Sequence, residues 1–134
     1  MCIRDRFASH RKLDNFVAIV DNNGLQIDGA VDDVCSPYPI DEKFKAFGFH
    51  VIEVDGHDFD ALKAAFDEAK QTKGQPTAII AKTVKGKGVS FMENQCSWHG
   101  TAPNDEQYAQ AMDCLLYTSP SPRDRSLSRM PSSA

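Results

Sequence analysis

Three short apolar runs rich in β-branched residues constrain the fold of this sequence more than any other feature. They cover residues 16–20, 50–54 and 77–81. Runs of this length and composition are typical of strands that are buried on both faces of a sheet. Segments with helical apolar spacing separate them, at residues 41–47 and 59–73. This alternation predicts an α/β fold, in which a parallel sheet carries helices on both faces.

Capping residues set the limits of the predicted helices. Gly48 is a candidate C-cap for the first helix, and Asp58 is a candidate N-cap for the second. Asn104 or Asp105 can cap a final helix that continues through Met112. The second helix has the clearest amphipathic spacing. We expect its buried face to comprise Phe59, Leu62, Phe66 and Ala69.

The two ends of the chain differ in composition from the part between them. Arg-Asp-Arg occurs at residues 4–6 and again at residues 123–125, and the second end is rich in Ser, Pro and Arg without strand or helix periodicity. Both ends resemble translated sequencing-adapter sequence. We therefore predict that residues 1–6 are a non-native leader, that 7–113 are the folded body, and that 114–134 are a non-native or disordered tail.

The charge of the body excludes some classes of partner. The chain carries 15 basic and 19 acidic residues, of which five Arg and two Asp lie in the two ends, so the body has 10 basic and 17 acidic residues. An acidic body repels nucleic acid and anionic membranes. No run of eighteen apolar residues and no secretory signal pattern is present. These features predict a cytoplasmic protein with neither nucleic-acid nor membrane partners.

The four cysteines do not suggest a metal site or a disulfide framework. They form no Cys-x-x-Cys pair and have no histidines at zinc-finger spacing. We predict that they are reduced thiols.

The segment that follows the first apolar run supplies oxygen ligands. Residues 21–29 read Asp-Asn-Asn-Gly-Leu-Gln-Ile-Asp-Gly, and ligands of parallel sheets bind at the carboxyl ends of strands. An Asn side-chain oxygen and a backbone carbonyl two residues later can bind one Mg²⁺, which prefers few protein oxygens together with phosphate and water. Asn-Gly between apolar runs is also a strong hairpin signal. Taken alone, these residues favour the hairpin.

Two later segments carry residues that suit phosphate. Residues 82–88 read Lys-Thr-Val-Lys-Gly-Lys-Gly, which concentrates three lysines in an otherwise acidic body. Lysine offers a point charge to an anion, and glycines let the backbone approach it. A solvated basic turn is the alternative, and it is favoured when this segment is considered alone. Residues 97–100 read Ser-Trp-His-Gly, where a histidine can bind phosphate or move a proton.

The order and spacing of these three segments resemble the transketolase family. The Asn-containing loop, the Lys-Gly-x-Gly turn and the Trp-His-Gly motif occur together within residues 7–113. The resemblance is nearest to the amino-terminal subunit of split transketolases, although a shortened single-chain enzyme would look much the same. It implies part of the thiamine-diphosphate-binding fold, a parallel α/β domain.

The resemblance also implies roles for individual residues. Asn23 would be the side-chain ligand of Mg²⁺, and Leu25 would supply its backbone carbonyl. Ile27 would be an apolar contact of the cofactor, and Lys85 would lie near its diphosphate. His99 would contact the diphosphate and the donor substrate, which makes it the candidate catalytic residue. The Gly-Asp-Gly that begins the family's thiamine motif does not occur here, so one magnesium ligand is missing.

The implied reaction transfers a two-carbon ketol unit from a ketose phosphate to an aldose phosphate, a step of the pentose phosphate pathway. The implied cofactors are thiamine diphosphate and Mg²⁺, with Ca²⁺ or Mn²⁺ as substitutes. The implied partners are sugar phosphates and a pyrimidine-binding domain or carboxy-terminal subunit that carries the activating glutamate, within a dimer or a heterotetramer. We therefore expect that this chain alone is inactive.

Two other classes of function remain compatible with the residues. One is a different thiamine-diphosphate enzyme, such as deoxyxylulose-phosphate synthase or a 2-oxoacid dehydrogenase subunit. The other is a non-enzymatic, flavodoxin-like binding domain in which the Asn-containing loop is a plain turn.

Overall fold

The computed structural model describes residues 2–118, which divide into two compact units with the boundary between residues 84 and 85. In chain order the first unit contains α1 (Cys2–His10), β1 (Val17–Asn22), β2 (Leu25–Gln26), β3 (Gly29–Ala30), α2 (Val31–Val34), α3 (Ile40–Ala46), β4 (His50–Asp55), α4 (Phe59–Gln71) and β5 (Thr77–Lys82). The second unit contains a 3₁₀ turn (Cys96–His99) and α5 (Asp105–Thr118). No helix in this described range is long and apolar enough to cross a membrane.

A three-stranded parallel sheet organises the first unit. Its order is β1-β5-β4, so the last strand in sequence lies in the centre. The five residues from Thr77 to Ala81 are all buried, because β5 has a strand on each side and helices above and below. This arrangement confirms the predicted α/β fold with a parallel sheet.

The two faces of β5 pack against different helices. Ala78 and Ile80 belong to a core cluster with Ala8 of α1 and with Phe44 and Phe49 in and after α3. Alternate residues of a strand point to opposite faces, which places the odd-numbered residues on the other side. There Ile79 and Ala81 cluster with Val54 of β4 and with Ala65 and Ala69 of α4. The helices therefore cover both faces of the sheet, as the sequence predicts.

The amphipathic helix α4 begins as predicted but buries a different set of side chains. The carboxylate of Asp58 accepts hydrogen bonds from the backbone amides of Asp60 and Ala61, at 2.9 and 3.0 Å. The expected apolar face is partly wrong, because Phe59 is 87% exposed and Phe66 is 39% exposed. The predicted residues Ala69 and Leu62 do pack on the sheet, and Ala65, which the spacing did not select, is buried beside them.

The ends of the predicted body continue into helices. Residues 2–6 belong to α1, where Asp5 is fully buried and accepts a hydrogen bond of 2.8 Å from Arg4 Nε. Helix α5 extends to Thr118, beyond the predicted limit at residue 113. The non-native origin of residues 1–6 and 114–134 stays a prediction, and residues 119–134 lie outside the described range.

The second unit has its own cap and its own buried residues. The side chain of Asn104 accepts a hydrogen bond from the Gln107 backbone amide, and the Gln107 side chain accepts one from the Asn104 amide, both at 2.9 Å. This reciprocal pair is a capping box, and it confirms Asn104 as the predicted N-cap of α5. Val89 and Ala111 are buried in this unit.

Candidate functional site

The carboxyl ends of the three parallel strands meet at one edge of the sheet. Lys82 at the end of β5 pairs in register with Asn22 of β1 and with Asp55 of β4. The backbone continues this contact, since Gly56 N donates to the Lys82 carbonyl at 2.8 Å and Thr83 N donates to the Asn22 carbonyl at 3.4 Å. The loops that carry polar residues in the sequence therefore leave the sheet side by side.

The predicted magnesium ligand Asn23 lies immediately after β1, before a hairpin. Its Oδ1 accepts a hydrogen bond of 2.9 Å from the Leu25 backbone amide, which is an Asx turn. Gly24 has φ +72°, a conformation that favours glycine. The hairpin then pairs Leu25 with Ala30. The structure thus contains a hairpin, but the turn of that hairpin lies at residues 27–28, between β2 and β3, and not at Asn23 and Gly24. The Asn23 loop therefore remains at the edge of the parallel sheet.

The Asn23 side chain is held from its other end as well. Its Nδ2 donates to Asp21 Oδ2 at 3.2 Å, and the hydroxyl of Thr83 donates to Asp21 Oδ1. The side chain that the sequence selects as a ligand is therefore tied to both β1 and the exit of β5.

Leu25 and Ile27 present apolar surface on the same hairpin. Leu25 lines a cavity of about 220 Å³ together with Val31, Ile40 and Phe44. The side chain of Ile27, at the turn of the hairpin, is 65% exposed. An exposed large apolar side chain beside polar loops is suited to contact an apolar part of a ligand.

The donor atoms of this loop fit a magnesium ion that shares its ligands with a diphosphate. The Asn23 amide oxygen and the Leu25 carbonyl are hard oxygen donors, and Mg²⁺ is usually bound by few protein oxygens with phosphate and water completing the set. Among residues 2–118 no group of three or more His, Cys, Asp or Glu side chains is placed to hold a metal. Phosphate oxygens and water are the ligands that usually complete such a magnesium site.

Lys85 begins a tight turn in the second unit. Its side chain is half-buried, and its carbonyl accepts a hydrogen bond of 3.0 Å from the Asn94 amide. Gly86 has φ +71°, and a Cβ there would lie 2.6 Å from the Met92 carbonyl oxygen. The closure of this turn on itself is sufficient reason for a glycine at position 86, and the approach of a phosphate to its backbone stays a prediction.

His99 lies exposed at the end of the 3₁₀ turn. The preceding Trp98 anchors that turn, because its Nε1 donates to the Phe91 carbonyl at 3.2 Å and its ring packs against Phe91 at 5.6 Å between centroids. The five predicted residues are thus divided between the units. Asn23, Leu25 and Ile27 form one loop of the first unit, and Lys85 and His99 belong to the second.

The structure also shows contacts of two residues to which the sequence reasoning assigned no individual role. Lys82 occupies the central position of the sheet edge and forms an ion pair of 3.2 Å with Glu53. The Tyr38 hydroxyl donates to Asn22 Oδ1 at 2.6 Å. Lys82 directly follows a buried strand, which is a signal that the sequence carries. The contact of Tyr38 with Asn22 joins residues 16 positions apart, and no local sequence pattern indicates it.

Comparison with known proteins identifies the family of this chain. The family model of the transketolase thiamine diphosphate binding domain matches residues 4–121. This chain belongs to the transketolase family. The finding confirms the resemblance of the sequence and the α/β thiamine-diphosphate-binding fold.

Curated transketolases are similar to most of this chain. A 6-deoxy-6-sulfo-D-fructose transketolase subunit from Clostridium sp. is 38% identical over 106 residues, which cover 79% of this chain and 38% of the relative. Human transketolase is 48% identical over 97 residues, which cover 70% of this chain and 15% of the relative. The chain therefore spans well under half the length of these transketolases.

Solved transketolases have the same fold over the matched region. The enzyme from Campylobacter jejuni superposes with a TM-score of 0.76 at 33% identity, covering 81% of this chain and 17% of that structure. The transketolase from Leishmania mexicana gives a TM-score of 0.76 at 33% identity, covering 83% of this chain and 17% of that structure.

Proposed function

We propose that this chain binds the magnesium diphosphate of thiamine diphosphate as part of a transketolase. The observation that carries the proposal is the position of Asn23 and Leu25. Both lie at the carboxyl end of β1, in the segment matched by the thiamine diphosphate binding domain. This end of a parallel sheet is where ligands of α/β proteins bind.

Each proposed residue has a chemical role that its side chain can perform. Asn23 Oδ1 and the Leu25 carbonyl donate oxygen lone pairs to Mg²⁺, and Ile27 supports the cofactor by apolar contact. Thiamine diphosphate, when bound, supplies the carbanion chemistry of ketol transfer. Lys85 and Lys82 are the candidate cations for the diphosphate, since an ammonium group is a point charge for phosphate oxygens.

His99 is the proposed catalytic residue. An exposed imidazole can donate a hydrogen bond to a diphosphate oxygen or to a hydroxyl of the donor substrate, and it can serve as a general acid or base. The Trp98 anchor supports this role, because it fixes the turn on which His99 is presented.

We assign ketol transfer to a complete transketolase and not to this chain alone. Two relatives are named as subunits, the Clostridium protein and an apulose-4-phosphate transketolase subunit from Phocaeicola vulgatus. We propose sugar-phosphate substrates and a partner that carries the pyrimidine-binding domain, within a dimer or heterotetramer. We expect no ketol transfer by this chain alone, because it spans a minor part of the transketolases it resembles.

Isothermal titration of the purified chain with thiamine diphosphate, with and without Mg²⁺, tests the proposed binding. We expect magnesium-dependent binding that Asn23→Ala weakens by at least about tenfold, the scale on which even outer-shell partners of a metal contribute. Asn15→Ala is the matched control, because Asn15 is exposed and precedes the opposite end of β1. Equal affinity of Asn23→Ala and Asn15→Ala, or binding that ignores Mg²⁺, would contradict the proposal.

The same titration tests the proposed roles of Lys85, Lys82 and His99. Lys85→Ala, Lys82→Ala and His99→Ala should each weaken binding of thiamine diphosphate. Lys87→Ala is the control for Lys85, since Lys87 is an exposed lysine of the same turn. A Lys87→Ala variant that loses as much affinity as Lys85→Ala would assign the effect to general charge rather than to Lys85.

A further inference from the structure

We propose that Asp21 and Thr83 are positioning residues that orient the Asn23 amide for metal binding. This inference rests on the proposed role of Asn23 as a magnesium ligand. It concerns two residues that do not themselves need to touch the metal, and it follows from the hydrogen bonds around the Asn23 side chain.

The three side chains form a continuous series of hydrogen bonds. The Thr83 hydroxyl donates to Asp21 Oδ1, and Asn23 Nδ2 donates to Asp21 Oδ2 at 3.2 Å. The carboxamide of Asn23 is planar, so an anchored Nδ2 also fixes the direction of Oδ1. The Asn23 Oδ1 is then directed to the Leu25 backbone amide at 2.9 Å. The two proposed metal ligands are thus held in one fixed turn.

The side chain of Asp21 joins Thr83 to Asn23. Asp21 accepts from two donors at once, and an ionised carboxylate has two acceptor oxygens for them. An alanine at the same place would remove both acceptors. The carboxamide of Asn23 would then lose its anchor, and the Thr83 hydroxyl would lose its partner.

The position of Thr83 is set by the turn that follows β4. Gly56 lies so close that a Cβ there would overlap Thr83 Cγ2 and would lie 3.2 Å from the Lys82 carbonyl oxygen. The Thr83 backbone amide also donates to the Asn22 carbonyl at 3.4 Å. The turn after β4 and the end of β1 therefore both fix the position of Thr83, whose hydroxyl contacts Asp21 of β1. The orientation of Asn23 thus depends on contacts among all three strand ends.

The proposed role concerns orientation rather than stability. Asp21 is exposed, and hydrogen bonds among exposed groups compete with water. Removing one should therefore change the free energy of unfolding little. Outer-shell partners of metal ligands, in contrast, typically contribute tenfold or more to metal affinity.

A direct metal contact by Asp21 is the main competing explanation. Variants of Thr83 separate the two explanations when they are compared in an Asn23→Ala background: Thr83→Val should weaken metal binding no further there if Asp21 acts through Asn23, and should weaken it again if Asp21 is itself a ligand. Thr83→Val removes the hydroxyl and keeps the shape, whereas Thr83→Ser keeps the hydroxyl. Thr72→Val is the matched control, since the Thr72 hydroxyl donates to the Glu68 carbonyl at the end of α4.

The first measurement is the affinity of the purified chain for Mn²⁺ in the presence of inorganic diphosphate, followed by electron paramagnetic resonance. We expect Thr83→Val to weaken Mn²⁺ binding about tenfold, with Thr83→Ser and Thr72→Val within about twofold of the unmodified chain. Asp21→Ala should weaken binding at least as much as Thr83→Val, because it removes both acceptor oxygens. Unchanged affinity in Thr83→Val would overturn the positioning role.

The second measurement follows the side-chain amide of Asn23 by NMR without any metal. Thr83→Val should shift the Nδ2 proton signals of Asn23 and speed their exchange with water, and Thr83→Ser should not. Unchanged signals in Thr83→Val overturn the inference at its base. If the signals move as expected but Asn23→Ala leaves Mn²⁺ affinity unchanged, the proposed function fails, and the role of this network in metal binding fails with it.

Discussion

The backbone amide of Val84 donates a hydrogen bond of 2.7 Å to Nε2 of His57. Because Nε2 is the acceptor, the neutral ring carries its proton on Nδ1. The His57 backbone amide in turn donates to Asp55 Oδ1 at 2.9 Å. The turn after β4 thus fixes the backbone at the exit of β5, one residue before Lys85.

Replacement of His57 should destabilise this exit. In His57→Ala the Val84 amide loses its acceptor, which we expect to lower the free energy of unfolding by only about 0.5 kcal/mol, because the bond is exposed and competes with water. Urea denaturation measures the change, and hydrogen exchange should show faster exchange at the Val84 amide. His10→Ala is the control, because His10 is exposed at the end of α1. If both variants unfold alike and Val84 stays protected, the hydrogen bond does not have this role.

Gly56 should not tolerate a side chain. Gly56→Ala would place a Cβ against Thr83 Cγ2 and 3.2 Å from Ala81 Cβ, and overpacking of this kind typically costs about 1 to 3 kcal/mol. Gly100→Ala is the control, since a Cβ at Gly100 meets nothing within 4 Å. Thermal unfolding of the two variants measures the difference. A Gly56→Ala protein as stable as Gly100→Ala would contradict the close approach of the turn to Thr83.

The N-cap of α4 should contribute measurable stability. Asp58→Ala removes the acceptor for the Asp60 and Ala61 amides, and loss of such a cap costs about 1 kcal/mol. Asp58→Ser retains a capping oxygen and should restore most of the stability. Chemical denaturation monitored by circular dichroism distinguishes them, and an alanine variant no weaker than the serine variant would show that the cap is not used.

The ion pairs on the surface of α4 predict a pH effect of known sign. The Lys63 ammonium, followed by Lys70, lowers the pKa of the Asp67 carboxyl below its ordinary value of 3.8. A carboxyl with a lowered pKa in the folded state stabilises the fold above pH 3.8, and this contribution disappears as the pH falls through the folded-state pKa. Because all three groups are exposed, the effect on stability should be small and sensitive to salt.

Titration of Asp67 by carboxyl NMR measures this effect. Lys63→Ala should raise the pKa of Asp67 towards its ordinary value. Lys73→Ala should leave it unchanged, because the Lys73 ammonium donates to the Lys70 carbonyl rather than to Asp67. Equal pKa values of Asp67 in the unmodified chain and in Lys63→Ala would show that the pair does not form in solution.

The order of the three parallel strands and of α3, α4 and α5 could be predicted because each of these elements carries a local signal, whereas α1 and α2 were not predicted. The β-branched runs, the Asp58 and Asn104 caps and the Gly48 terminus all act within a few residues. The burial of α4 could be predicted only in part, since amphipathic spacing selects Leu62 and Ala69 but does not reveal that Ala65 faces the sheet while Phe59 lies outside. That choice depends on how closely the helix approaches the sheet, which is a tertiary property.

The candidate site was predictable only as separate segments. Local patterns and the family resemblance select Asn23 and Leu25. The contact of Asp21 with Thr83 depends on the pairing of β1 with β5, strands far apart in sequence. The spacing of these residues in the sequence does not indicate how β1 and β5 pair. The residues that we propose to orient Asn23 can therefore be identified only from the folded chain.

Paramagnetic broadening by Mn²⁺ tests the central claim most directly. The measurement records amide NMR signals of the isotope-labelled chain while Mn²⁺ is added in the presence of thiamine diphosphate. If this chain binds the metal diphosphate through Asn23 and Leu25, the signals of residues 23–27 should broaden at the lowest Mn²⁺ concentrations, and Asn23→Ala should abolish that preference. Broadening that begins elsewhere and leaves residues 23–27 sharp would contradict the account.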